Sequence, residues 1–293
     1  MFKRMSLIDK VYVIMAYLLV LFIVIITAYP IIYIVSASIS NQDAVVRGEI
    51  WLLPKGINFG AYKIVTDTAE IWRSYANTIW YVVVGTIFSL FMTTITAYPL
   101  SRKKFAGRNL VMLLIAFTMF FSGGLIPSYL LVKSLNLINH RLALIIPGAL
   151  SAWNIILMRT FFQSLPEEMF EAAHIDGCSE IKTLSRIVLP LSKPIIAVMV
   201  LFFAVGQWNS FFGALIYLND TKLYPLQMVL RKILIQYDST AMLKSGGDID
   251  KLRQVGECIR YATIVVATLP ILCVYPFLQK YFVQGVMIGA IKG

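Results

Sequence analysis

Charge is scarce in this chain. Only 14% of its 293 residues are Asp, Glu, Lys or Arg, against about 25% in an ordinary soluble domain. Histidine is almost missing, with His140 and His174 alone, and Cys178, Cys258 and Cys273 stand far apart without a C-x-x-C pair. A metal centre built from such ligands needs several of them at short spacing, so no metal is expected and the thiols read as small free hydrophobes. No G-x-x-x-x-G-K-[ST] stretch occurs, and Gly123-Gly124 and Gly246-Gly247 are isolated pairs. The chain therefore has no nucleotide-cradling loop of that kind and no cofactor of its own is expected. Acids are rarer than bases, 15 against 26, for a net charge of +11. The bases sit at the ends of apolar runs and not on an aromatic-interleaved polar face, which argues for a membrane surface and against nucleic acid.

What is abundant is apolar surface: 59% of residues are hydrophobic and the mean hydropathy is +0.77. An excess of that size is buried in lipid, and the whole chain, 1–293, reads as one membrane domain. Crossing the hydrocarbon layer takes about 20 apolar residues in a helix. Six runs qualify: 12–38, 75–100, 110–132, 142–162, 194–218 and 259–282. The first is about twice the length of a signal h-region, so an uncleaved anchor is expected. Pro30, Pro99, Pro127, Pro147, Pro270 and Pro276 lie in or near these runs, so kinked, mutually packed helices are expected. The fold class is all-α: a polytopic membrane protein with six transmembrane helices.

The tightest loop, Ser101 to Asn109, holds Arg102, Lys103, Lys104 and Arg108 and no acid. With Lys3, Arg4 and Lys10 it puts the N-terminus on the cytoplasmic side, and six crossings return the C-terminus there. Outside lie 39–74 and 219–258, the second with an amphipathic run from Leu226 to Tyr237. Either is surface filler or a platform for an external binding protein.

Between the fourth and fifth runs, 164–193 forms a cytoplasmic loop. Ser164-Leu165-Pro166-Glu167 fits a capping box, with Ser164 as N-cap. Glu167 and Glu168 suit the positive end of the helix dipole, and Gly177 suits a left-handed stop. The helix so specified carries Met169, Phe170, Ala173 and Gly177 on one face. Ala172, Ala173 and Gly177 keep its surface low for close approach of a partner's groove, while Glu171, Asp176 and Glu180 offer acids to basic partners. A helix lying on the bilayer is the alternative, and its acids oppose contact with anionic headgroups. The return, 181–194, places Lys182, Arg186 and Lys193 outward and Leu184, Ile187, Val188 and Leu189 inward, with Pro190 and Pro194 as a hinge.

Glu171-Ala172-Ala173, Gly177 and Ile187-Val188-Leu189-Pro190 resemble the EAA loop of ABC-importer permeases. Ile126-Pro127-Ser128-Tyr129, Ser151-Ala152-Trp153-Asn154, Arg159-Thr160-Phe161-Phe162, Trp208-Asn209 and Gly285-Val286-Met287-Ile288-Gly289 extend the similarity over nearly the whole chain. It resembles the smaller, six-span permease of maltose-type carbohydrate importers, nearest to those serving complex or acidic oligosaccharides such as alginate or pectin fragments. The resemblance implies a type I importer fold and a heteromeric assembly: a second permease, two ATP-binding subunits carrying ATP and Mg, and a solute-binding protein. By position, Glu167, Glu168, Met169, Glu171, Ala172, Ala173, Asp176 and Gly177 would be the coupling helix seated on the ATPase.

Polar residues inside spans face a cavity or another helix. Gln207, Trp208 and Asn209 in the fifth run lead the candidates for a sugar pathway, followed by Tyr217, Trp153, Asn154 and Asn77. Each alone is more readily interhelical glue or an interfacial belt than a ligand. A membrane enzyme needs paired acids or a metal at membrane depth, which these spans lack. A secondary carrier or channel for a small polar solute is the remaining alternative, and it does not explain the loop helix.

Overall fold

The computed structural model describes residues 6–243 and 256–273, and among them every regular element is a helix. The expected break at Gly246-Gly247, the end of the sixth run at 274–282 and the stretch Gly285–Gly289 lie outside the described residues. The chain divides into two compact units, residues 1–69 with 230–269 and residues 70–229 with 270–293.

The first unit opens with α1, Leu7–Ser38. Its apolar window has no residue buried within the chain, which is the signature of a helix made for lipid or for another helix. Its last turn is different. Ser36 Oγ donates to the Leu52 carbonyl at 2.6 Å, Ser38 Oγ and the Tyr62 hydroxyl lie 2.8 Å apart, and Ser40 Oγ accepts from the Lys55 amide at 3.1 Å. These bonds fold 39–59 back onto the helix end, with the short α2 (Gln42–Val46) capped by Asn41. α3, Gly60–Asp67, follows. Further along the chain, α13 (Leu226–Leu243) realises the amphipathic run as a helix, and α14 runs Gly256–Cys273. Tyr261 of α14 packs edge-on against Tyr33 of α1, centroids 5.8 Å apart.

The second unit is built on α4, Ala69–Ser101. Its buried side is a stripe of small and polar residues at helical spacing: Ser74, Thr78, Tyr81, Gly85, Ser89, Thr93, Ala97 and Leu100. Small side chains let helix backbones approach closely, which is how helices associate where lipid removes the hydrophobic drive. At Gly85 an added Cβ would lie 2.9 Å from Gln207 Nε2, so the glycine makes the room that Gln207 fills.

The third run is not one continuous helix. α5 spans Arg108–Phe120 and α6 spans Leu125–Ser134, bent by 116° at the break between them. The cause is local: Gly124 sits at φ +83°, ψ 177°, a conformation only glycine enters readily. Pro127, in the first turn of α6, loses no intrahelical bond there. The fourth run is also shorter than expected. A 3₁₀ turn, Arg141–Leu144, precedes irregular chain, and α7 begins only at Ala152 and ends at Gln163. Pro147 bars an interior helical turn and pushes Ile146 away from helical geometry.

After α7 come α8 (Glu167–Ile175) and α9 (Glu180–Thr183), then a π-helical turn over Leu184–Val188 and α10, Leu189–Leu191. The widened turn, with the Leu189 amide bonded to the Leu184 carbonyl, accommodates Pro190, which has no amide to donate. The chain then turns 84° into α11, Lys193–Asn209. The fifth run is interrupted at Ser210, extended at ψ 122°, before α12, Phe212–Tyr217; Asn209 and Ser210 favour such exits because their side chains compete with the helix. Among the described residues, α1, α4 and α14 are long and apolar enough to cross a membrane, and the bent pairs at 108–134 and 180–209 raise the number to five if each is one span.

Candidate functional site

α8 is the helix the sequence singles out, but its start is not the expected capping box. Pro166, extended at ψ 135°, stands at the N-cap with no side-chain bond. Ser164 instead closes α7, its Oγ donating to the Phe161 carbonyl at 2.7 Å. The proline holds the chain extended, so the helix starts two residues later and Glu167 becomes its first residue. That carboxylate is taken by the Lys103 ammonium. The lysine, with Arg102 and Lys104 nearby, holds the Glu167 carboxyl below its ordinary pKa.

The helix end follows expectation. Gly177 lies at φ +70°, its amide donates to the His174 carbonyl at 3.1 Å and the Cys178 amide to the Ala173 carbonyl at 2.9 Å. This 5→2 and 6→1 pair is a Schellman stop, which satisfies carbonyls that would otherwise be orphaned.

The expected docking face is corrected. Phe170 and Ala173 are buried within the chain, 8% and 3% exposed, and Met169 is half-buried. A helix turns 100° per residue, so the face offered outward is instead Glu168, Glu171, Ala172 and Ile175, continued by Asp176 and Gly177. Ile175 is 86% exposed and Ile181 79% exposed. Neither isoleucine is among the residues the sequence reading picked out. The signal was present in the i, i+4, i+7 spacing of Glu168, Ala172 and Ile175.

The inward side of this segment is locked to the basic loop that follows α4. The Arg102 guanidinium carbon sits 3.3 Å from the centre of the Phe170 ring. The Tyr98 hydroxyl donates to Glu180 Oε2 at 2.6 Å. Arg159 of α7 donates from Nε to the Leu100 carbonyl at 2.9 Å. Beneath them one apolar cluster joins Ala97 and Leu100 of α4, Met158 and Phe162 of α7, Phe170 of α8, Val188, and Val198 and Met199 of α11. The loop segment is thus fastened to the end of α4 and its basic loop by ion pair, cation–π contact and hydrogen bond, and packs against α4, α7 and α11 together. The four-residue basic run, read in sequence only as an orientation signal, is half of the site.

The proposed pathway residues separate into committed and open groups. Asn77 is buried and engaged on three sides: Nδ2 donates to the carbonyls of Lys222 (2.7 Å) and Tyr224 (3.1 Å), and Oδ1 accepts from Arg141 Nη2 (2.9 Å). Thr78 and Tyr81 bind the same segment, at the Leu226 amide and the Leu223 carbonyl. This end of α4 therefore holds 222–226 in place, and both Asn77 amide donors are committed to that structural role. The Gln207-Trp208-Asn209 group is divided by the helix: Trp208 is buried with its ring edge-on to Tyr75 at 6.2 Å, Gln207 fills the Gly85 gap, and Asn209 is exposed. Tyr217 stacks on Tyr129 with centroids 6.4 Å apart. Asn154 is 8% exposed, whereas its neighbour Trp153 is 58% exposed.

Residues 85–288 match the family described as binding-protein-dependent transport system inner membrane component. The chain is 48% identical over 268 residues to Protein LplC of Bacillus subtilis, covering 92% of this chain and 90% of that protein. It is 39% identical to the polygalacturonan/rhamnogalacturonan transport system permease protein YtcP of the same organism, covering 97% of this chain and 99% of that one. Among solved structures, a chain from a bacterial ABC transporter involved in the import of the acidic polysaccharide alginate superposes with a TM-score of 0.85 at 36% identity, covering 95% of this chain and 99% of that chain.

Proposed function

Because the chain belongs to the binding-protein-dependent transport system inner membrane components and is a permease of an ABC importer, we propose that α8 is its coupling helix and that its cargo is an oligosaccharide carrying acidic groups. The observation that carries the first part is the two-sidedness of α8. One side is fastened to the loop after α4 by Lys103–Glu167 and Arg102–Phe170 and packs through Phe170 into the apolar cluster shared by α4, α7 and α11, while Tyr98 of α4 holds Glu180 of the following α9. The other presents Glu168, Glu171, Ala172 and Ile175 outward, uncovered by any other described residue. A helix held this way transmits displacement in both directions: a partner that moves α8 moves the ends of three spans.

In this reading the chain is a transport component in the membrane, working with a second permease, ATP-binding subunits and a solute-binding protein. Two ATP-binding subunits carry the ATP and Mg and perform hydrolysis, one of them seating α8. The chain crosses six times with both termini cytoplasmic, the 3₁₀ turn and α7 together forming the fourth crossing. Support for an acidic saccharide comes from the cargo named for the pectin-fragment permease and for the alginate importer. Trp153 and Asn209 are the pathway candidates left open by the packing, an aromatic face and an amide of the kind sugars use.

The test is reconstitution of the assembly purified through this chain into liposomes. ATP-dependent uptake of oligogalacturonate or oligoalginate that needs the binding protein is expected. Uptake that proceeds without ATP, driven by an ion gradient, would overturn the reading in favour of a secondary carrier.

A further inference from the structure

Where α4 ends and the basic loop begins, a cavity of about 420 Å³ opens between the helix and the return segment after α8. That size is within the roughly 300–1,000 Å³ typical of small-ligand sites. Its floor is apolar, made by Ile95 and Pro99 of α4 and by Leu184. Its rim carries two cations, Arg102 and Lys104. Glu180 in the same lining accepts the Tyr98 hydroxyl at 2.6 Å, and Arg102 lies over the Phe170 ring, a contact with the guanidinium face that leaves its N–H edge for an anion. Phe105 and Ile181, 42% and 79% exposed, complete the apolar lining.

Depth decides what fits. From Ser74 to Ser101 α4 carries no charged residue, and Arg102, Lys103 and Lys104 follow at once, a pattern that puts this end of the helix where a bilayer changes from hydrocarbon to headgroup. Lys103 is taken by Glu167, whereas Lys104 is exposed beside the opening. A cavity that combines the apolar side chains of Ile95, Pro99 and Leu184 with the cations Arg102 and Lys104 is the complement of a phospholipid bearing a net negative headgroup.

We propose that this cavity binds one anionic phospholipid, its phosphate against Arg102 and Lys104 and the start of an acyl chain on Ile95, Pro99 and Leu184. The lipid would then touch both sides of the contact between α4 and the loop segment, since Tyr98 and Glu180 line the same space. The site does not depend on which solute is carried, so it stands or falls apart from the cargo reading.

The experiment uses the whole assembly, purified through the tagged chain, delipidated in detergent and examined by native mass spectrometry after addition of phosphatidylglycerol or phosphatidylcholine. A single phosphatidylglycerol adduct is expected on the wild type, with phosphatidylcholine not retained. Lys104→Gln, at an exposed position, should weaken retention about fivefold, the effect of removing one cation near a headgroup, and Lys104→Arg should restore it. Ile95→Trp, which fills the floor, should weaken it without changing the rim charge. A photoreactive residue in place of Phe105 should give a lipid adduct. Equal retention of both lipids, retention unchanged in both Lys104→Gln and Ile95→Trp, or a Phe105-position adduct to an ATP-binding subunit instead of lipid would overturn the proposal.

Discussion

The Tyr98 hydroxyl, near the C-terminal end of α4, donates a 2.6 Å hydrogen bond to the Glu180 carboxylate across a separation of 82 residues. It ties a membrane helix to the loop that carries α8, and it is charge-assisted, the stronger class of such bonds. Tyr98→Phe keeps the ring, which packs edge-on to Phe162 at 6.4 Å, and removes only the tie. Because Glu180 is exposed and regains water, the loss should be about 1–2 kcal/mol. We expect a lower thermal midpoint for the purified assembly and ATP hydrolysis less dependent on the binding protein. Hydrolysis as tightly coupled as in the wild type would remove Tyr98 from the transmission path.

Ala172 and Ala173 are neighbours with opposite fates. Ala173 is 3% exposed and Ala172 is on the open face. Ala173→Arg buries a charge in a packed site and should cost several kcal/mol, seen as loss of folded protein. Ala172→Arg and Ile175→Glu should leave the chain folded yet abolish co-purification of the ATP-binding subunit. Full recovery of that subunit with both variants would show that α8 docks elsewhere or not at all.

Gly177 ends α8 at φ +70° with nothing within 4 Å of a would-be Cβ. Space is not the constraint; backbone conformation is. Gly177→Ala should cost roughly 1–2 kcal/mol, and Gly177→Asn less, because asparagine tolerates the left-handed region. Thermal unfolding of the three proteins should rank them in that order.

The Glu167 carboxyl is held below its ordinary pKa by the Lys103 ammonium. A depressed folded value means the ion pair contributes fully above the ordinary carboxylate range and is lost as pH falls through the folded value. Attachment of the start of α8 should therefore be unchanged between pH 8 and 6 and weaken only in acid, below roughly pH 4. Carbon NMR of the labelled carboxyl should show a titration midpoint that rises in Lys103→Gln. The same midpoint in both proteins would mean the pair is not formed in solution.

Asn77 makes three hydrogen bonds to Lys222, Tyr224 and Arg141. Asn77→Leu should destabilise by on the order of 1–2 kcal/mol, since it removes the side-chain partner of two carbonyls and a guanidinium in partly buried surroundings. Its expected signature is a lower thermal midpoint with an unchanged KM for uptake. A raised KM at normal stability would return Asn77 to the sugar pathway.

Much of this was legible in the chain. Apolar runs of membrane length follow from hydrocarbon thickness, and α1 and α4 appear where composition puts them. Glu167 and Glu168 at the start of α8 and Gly177 at its end follow from local rules, because the helix dipole and the left-handed stop act over one turn. Three of the long apolar runs, the third, fourth and fifth, are interrupted where hydropathy shows no break, because hydropathy is blind to a single backbone angle. Gly124 at φ +83° turns the third run through 116°, and Pro147 delays the fourth.

The sequence by itself determined the class of the protein, since lipid is the solvent that a chain so poor in charge can satisfy, and it determined where the loop helix lies. Tertiary structure alone decided which side of that helix is open. Phe170 and Ala173 turn inward because the ends of α4, α7 and α11 converge beneath them. Those helices also bring Lys103 within reach of Glu167 and Tyr98 within reach of Glu180, pairs 64 and 82 residues apart. Contacts of that range depend on how helices cross, and no local pattern encodes a crossing.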